Sequence, residues 1–127
     1  MLPDDLENIG KYAFEECSSL QTINIPDSVT SIGDGAFGFC SSLTNIVIPD
    51  GITEIGKDTF HNCGSLAEIT IPASVTSIGN YAFSVCEVLS DVYYGGTRNE
   101  WNAVTKGSNN APLTAETTQG GSCFRHL

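Results

Sequence analysis

The 127-residue sequence predicts an α/β repeat solenoid, with a parallel sheet on one face and short helical or 3-10 turns on the other. Three observations point there. Columns of like residues recur every 23 positions. Each unit holds a short apolar stretch of period two that ends at proline. Each unit also holds an apolar stretch whose spacings are three and four.

The columns establish the period. Ile9-Gly10, Ile32-Gly33, Ile55-Gly56 and Ile78-Gly79 form the first pair. Phe14, Phe37, Phe60 and Phe83 follow, then Cys17, Cys40, Cys63 and Cys86, then Leu20, Leu43, Leu66 and Leu89. Ile25, Ile48, Ile71 and Tyr94 precede Pro26, Pro49, Pro72 and the glycine pair Gly95-Gly96.

Within a unit, Leu-x-x-Ile-x-Ile-Pro alternates and is rich in β-branched residues, which predicts a short strand. Proline ends it, having no N–H for the ladder. The segment Ile-Gly-x-x-Ala-Phe-x-x-Cys has the spacing of a helical turn or a 3-10 piece. Neither piece buries its apolar side alone, whereas stacked copies share a continuous core.

The unit, as in Ala36-Phe37-x-x-Cys40-x-Ser42-Leu43-x-x-Ile46-x-Ile48-Pro49, resembles the leucine-rich repeat, and more closely its BspA-like subgroup. The resemblance covers Pro3 to about Asn102. It implies a right-handed leucine-rich-repeat coil over residues 1–104, with four full columns of repeats that begin in mid-repeat. It also implies a non-enzymatic protein-binding role at a bacterial cell surface or in a secreted protein, with adhesion to host extracellular proteins as the leading specific expectation. The stretch from Val92 to Trp101 resembles a terminal unit of such proteins. Residues 105–127 are expected to form a C-terminal cap and a mobile tail, with Trp101 and Val104 covering the last core layer. Lys106 to Asn110 has turn chemistry, and Pro112 to Ala115 suggests a last short strand.

Pro3 aligns with Pro26 and Ile9 with Ile32, so the first unit starts just after a strand, with no polar capping turn ahead of it. The expectation is a piece of a longer exported protein, whose raw end invites end-to-end association between copies. The opening MLPDDLENIG has neither the basic nor the apolar region of a signal peptide.

Composition narrows the partners. The formal net charge is -10, and the five cations, Lys11, Lys57, Arg98, Lys106 and Arg125, are scattered. A phosphate backbone or an anionic membrane surface would be repelled, so neither nucleic acid nor membrane insertion is expected. No stretch approaches the roughly 18 apolar residues of a membrane span.

A cysteine repeated every 23 residues admits three readings. Equivalent positions in stacked turns lie about 4.8 Å apart, so four cysteines extend over roughly 14 Å and cannot share one zinc with four bonds of about 2.3 Å. A disulfide ladder is harder to set aside, because about 4.8 Å falls within the range between bridged α-carbons. Stacked equivalents point the same way, however, which suits that bond's dihedral poorly. The favoured reading is a buried small hydrophobe. Cys123 lies out of register and is a candidate reactive thiol. No metal or cofactor is expected.

Other motifs carry little. Gly33-x-Gly35-x-x-Gly38 matches a dinucleotide fingerprint literally, but its sister units keep only the first glycine and no βαβ unit surrounds it. His61 stands where Glu15, Gly38 and Ser84 stand in the other units, a variable position expected to be exposed. No Gly-x-Ser-x-Gly elbow or paired acid and base is recognisable, so no catalytic residues are assigned. The candidate binding residues are those that alternate outward along each strand: Thr22, Asn24, Asn45, Val47, Glu68, Thr70, Asp91 and Tyr93. Two other classes remain open: a structural spacer, and an accessory carbohydrate-binding domain of a larger secreted protein.

Overall fold

The computed structural model describes residues 2–114 and the backbone of residues 124–126. Along the chain run β1 (Asn8–Ile9), β2 (Ser31–Ile32), β3 (Asn45–Val47), β4 (Glu54–Ile55), β5 (Glu68–Ile71), β6 (Ser77–Ile78) and β7 (Asp91–Tyr94). Helix α1 (Arg98–Ala103), β8 (Thr105–Lys106), helix α2 (Ala111–Thr114) and β9 (Phe124–His126) complete the described elements.

The sequence period reappears as strand register. Asn45 pairs with Glu68, and Glu68 with Asp91, in the parallel sheet β3-β5-β7-β9. The expected strand is thus present in three units; in the first unit Ile23 and Ile25 point inward without a described ladder. A second parallel ladder, which the unit pattern did not announce, forms at the Ile-Gly step. It runs as β1-β2 and as β4-β6-β8. β8 pairs with β6 as Ser77 with Thr105, an offset five residues longer than the repeat because α1 is inserted there.

The third side corrects the expectation of helical turns. An α-helix spends its N–H groups internally. Here alternate amides leave the turn. Phe14, Phe37 and Phe60 donate to the carbonyls of Ala36, Thr59 and Ala82 in the next turn, while Ala36 and Cys40 donate three residues back to Gly33 and Phe37. Each turn resets its direction at two left-handed residues four apart: Tyr12 and Glu16, Gly35 and Phe39, Asp58 and Asn62, Tyr81 and Val85, all with φ between 59 and 68. That conformation is costly for L-residues, and most of all for a β-branched one. The ladder between turns holds it. The only helices among the described residues are α1 and α2, beyond the fourth turn.

The core is continuous. Phe14, Phe37, Phe60 and Phe83 stack with centroids 5.3, 5.5 and 5.3 Å apart and planes within 17°. The leucine and isoleucine columns fill the space between the three sides. Cys40, Cys63 and Cys86 are buried free thiols. Each donates to a phenylalanine carbonyl of the preceding turn: Cys40 to Phe14 at 3.1 Å, Cys63 to Phe37 at 3.2 Å, and Cys86 to Phe60 at 3.0 Å. Thiols thus meet carbonyls rather than one another. Cys17 is also free but only half-buried, because no described turn stacks below it.

Beyond the fourth turn the chain departs from the repeat. Trp101 and Val104 are buried, and the indole lies 5.2 Å from the Tyr94 ring. Thr97 and Glu100 form a reciprocal capping box at the start of α1. The Lys106 ammonium donates to the Trp101 carbonyl at 2.7 Å and lies 4.3 Å over that ring. Asn110 stands where a fifth turn would supply a carbonyl: its Oδ1 accepts the Phe83 N–H at 2.9 Å. Its Nδ2 donates to Gly79 and Gly107 carbonyls, each at 3.0 Å. Residues 111–114 form α2 where a strand was expected; Pro112 suits the first turn of a helix, where its missing N–H has no partner to lose. The backbone of Phe124–His126 pairs in parallel with β7 in the main sheet. Residues 115–123, including Cys123, lie outside the described residues.

Candidate binding surfaces

The sheet places the eight sequence-derived residues in two columns. One is Thr22, Asn45, Glu68 and Asp91; the other is Asn24, Val47, Thr70 and Tyr93. The last three members of each column are fixed by strand pairing, and the first turn joins them through the Thr44 amide, which donates to the Gln21 carbonyl at 3.0 Å. Successive members stand about 4.8 Å apart, the spacing of paired strands. Thr22, Asn24, Asn45, Val47 and Glu68 are exposed, and Thr70, Asp91 and Tyr93 are partly covered. Val47 is 60% exposed, high for an apolar side chain on a regular strand. At the end of this face, Val47, Thr70, Asp50, Ala73, Ser74 and Gly95 line a shallow groove.

A second concavity, on the turn side, was missed by the strand-based reading. Its walls are Tyr12, Glu15, Phe39, Asp58 and His61, and its floor is Gly35 and Gly38. It arises because the second turn has glycine at two outward positions where the first and third turns have Tyr12 with Glu15 and Asp58 with His61. The Gly33-x-Gly35-x-x-Gly38 string is therefore the signal for it, though not for a nucleotide. His61 is not exposed as expected. Its side chain is only 24% accessible, lies edge-on to Phe39 and Tyr81, and has Nδ1 shut from solvent 3.9 Å from Asp58 Oδ1.

Electrostatics and burial weigh against a reactive thiol in the core. Burial pushes the Cys86 thiol from an ordinary 9.0 up to about 11. Burial, together with the neighbouring Cys86 and Cys40 sulfurs, raises Cys63 further. Burial also lowers the Lys106 ammonium. Among the described residues no three His, Cys, Asp or Glu side chains converge as metal ligands. None of their helices is long and apolar enough to cross a membrane.

Comparison with known proteins gives this architecture its class. The family model described as "BspA type Leucine rich repeat region (6 copies)" matches residues 1–103. The chain belongs to the BspA-type leucine-rich repeat family. Among solved structures, a leucine rich cell surface protein from Faecalibacterium prausnitzii is 38% identical with a TM-score of 0.66; the match covers 82% of this chain and 34% of that one. The T. pallidum Leucine Rich Repeat protein is 36% identical with a TM-score of 0.74, over 87% of this chain and 51% of its own. A leucine-rich repeat protein from Bacteroides ovatus, 19% identical with a TM-score of 0.51, shares the fold over 87% of this chain and 46% of its own. The chain thus spans between about a third and a half of the relatives it matches. No curated protein matches it.

Proposed function

We propose that this chain is a non-enzymatic protein-binding module of a bacterial cell-surface or secreted protein, and that it contributes to adhesion to host extracellular proteins. The observation that carries this reading is the pair of outward columns held in register on β3, β5 and β7. Such a face offers many modest contacts on a rigid frame and one aromatic anchor, Tyr93, of the kind that dominates protein interfaces. The similarity to a leucine rich cell surface protein supports the location. The scarcity of cations supports a protein rather than a polyanionic partner.

The test is direct. The chain is immobilised, and binding of fibronectin, fibrinogen and other matrix proteins is measured beside a Glu68→Lys/Tyr93→Ala variant. Saturable binding, weakened at least tenfold in the variant, is the expected outcome. A folded, monodisperse sample that binds none of them would remove the adhesive role and favour a structural spacer.

A further inference from the structure

The turn-side notch has the size and chemistry of a receptor for one side chain. Its volume is about 240 Å³. Small-molecule sites run from about 300 to 1,000 Å³, so the notch is small for a cofactor. The Tyr12 ring lies across Gly35, where an added Cβ would meet it at 2.5 Å. Above Gly38 there is room, since an added Cβ would come no closer than 3.4 Å to any atom outside its chain neighbours. Tyr12 is 56% exposed and Phe39 43%, so both rings present surface to an entering group. Glu15 and Asp58 stand on the same rim.

We propose that this notch binds an arginine side chain of a protein partner. A planar guanidinium stacks on an aromatic ring and forks its N–H groups onto carboxylates, which matches walls of two exposed aromatic rings with two acids beside them. The chain's net charge of -10 draws a basic partner toward any of its faces. The notch lies apart from the sheet columns, and its proposal rests on the reading above only for the class of partner. It gives the module a second contact surface, opened by the glycines of the second turn and walled by its two neighbours rather than spread over the whole sheet.

The experiment is an amide-resolved NMR titration of the full chain with Nα-acetyl-arginine amide, with the neutral isostere Nα-acetyl-citrulline amide alongside. Saturable shifts are expected at Gly35, Gly38 and Phe39, with citrulline at least tenfold weaker. Gly38→Gln puts into the notch a side chain close to the Glu15 that the first turn carries there, and should abolish the shifts. Asp58→Asn keeps a residue that tolerates the left-handed backbone and should weaken binding about fivefold or more. Glu68→Lys/Tyr93→Ala should leave arginine binding unchanged, which separates this site from the sheet face. Citrulline binding as well as arginine, shifts confined to the sheet, or no saturable shift at tens of millimolar probe would each overturn the proposal.

Discussion

At the scale of single residues, the cysteine column shows why a thiol recurs. Cys40, Cys63 and Cys86 are buried, and a phenylalanine carbonyl of the preceding turn accepts from each thiol about 3 Å away. Neither alanine nor valine could donate to that carbonyl. Burial sets the pH dependence. The folded pKa of Cys86 is raised above the unfolded value, so its contribution to stability is complete below about pH 9 and is lost as pH rises through about 11. Two pK units correspond to about 3 kcal/mol. Urea unfolding followed from pH 8 to pH 11 should show this decline, and Cys86→Ala should make it shallower, with Cys63 and Cys40, whose thiols burial also raises, carrying part of the remainder. An unchanged slope in the variant would show that other groups carry the alkaline loss. In the native protein at pH 8, Cys40, Cys63 and Cys86 should react with a thiol reagent far more slowly than Cys17, and in denaturant all should react without prior reduction. Peptide mapping by mass spectrometry would assign each thiol, and a pair that needed reductant would contradict free stacking.

Among the elements, the main sheet was legible and the turn side was not. Period two identifies which strand residues face in, because a pleat alternates by geometry. Thus Asn45, Val47, Glu68 and Tyr93 could be placed outward from the sequence alone. On the turn side, inward Phe37 and Cys40 are three apart, a spacing that a helix shares with a chain of tight turns. The two differ in φ, which residue type hardly signals here: Tyr, Glu, Phe, Asp, Asn and Val all adopt the left-handed conformation. The notch was hidden for a related reason. It consists of two side chains that the second turn lacks, and an absence has meaning only once the stack supplies neighbours. Asn110 was likewise visible only as turn chemistry, since its partner, the Phe83 amide, is 27 residues away. Val85→Gly discriminates between the two backbones. In a helix it should destabilise by about 0.3–0.5 kcal/mol, the difference between the valine and glycine propensities, plus any packing that valine provides. Here Val85 is 47% exposed with a φ of 59, so relief of strain should leave stability unchanged or raise it by up to about 1 kcal/mol. A chemical-denaturation midpoint that falls clearly below wild type would favour the helical alternative.

For the whole molecule, stability is close to a sum over turns and their interfaces. Removing residues 50–72 takes out one full unit and brings Pro49 next to Ala73, the residue that aligns with Asp50. The product should fold, retain a cooperative transition, and show a smaller dependence of free energy on urea, in proportion to the lost buried surface. Removing one residue fewer should be far worse, since a slip of one position turns the inward set of a strand outward. Circular dichroism and urea titration of the two deletions provide the comparison. Equal behaviour would mean that the ladders do not enforce the register.

The shared register of the two ladders and the turn-side bonds also bears on how such a protein can change over generations. Asn110 and Trp101 pack on the fourth turn through contacts that do not depend on the number of turns before it. A recombination event that duplicates one repeat inserts a turn that neighbours and those contacts both accept. Lineages can therefore lengthen or shorten the displayed surface in whole steps, while substitutions at outward positions such as Gly35 and Gly38 make one copy of the repeat different from its siblings.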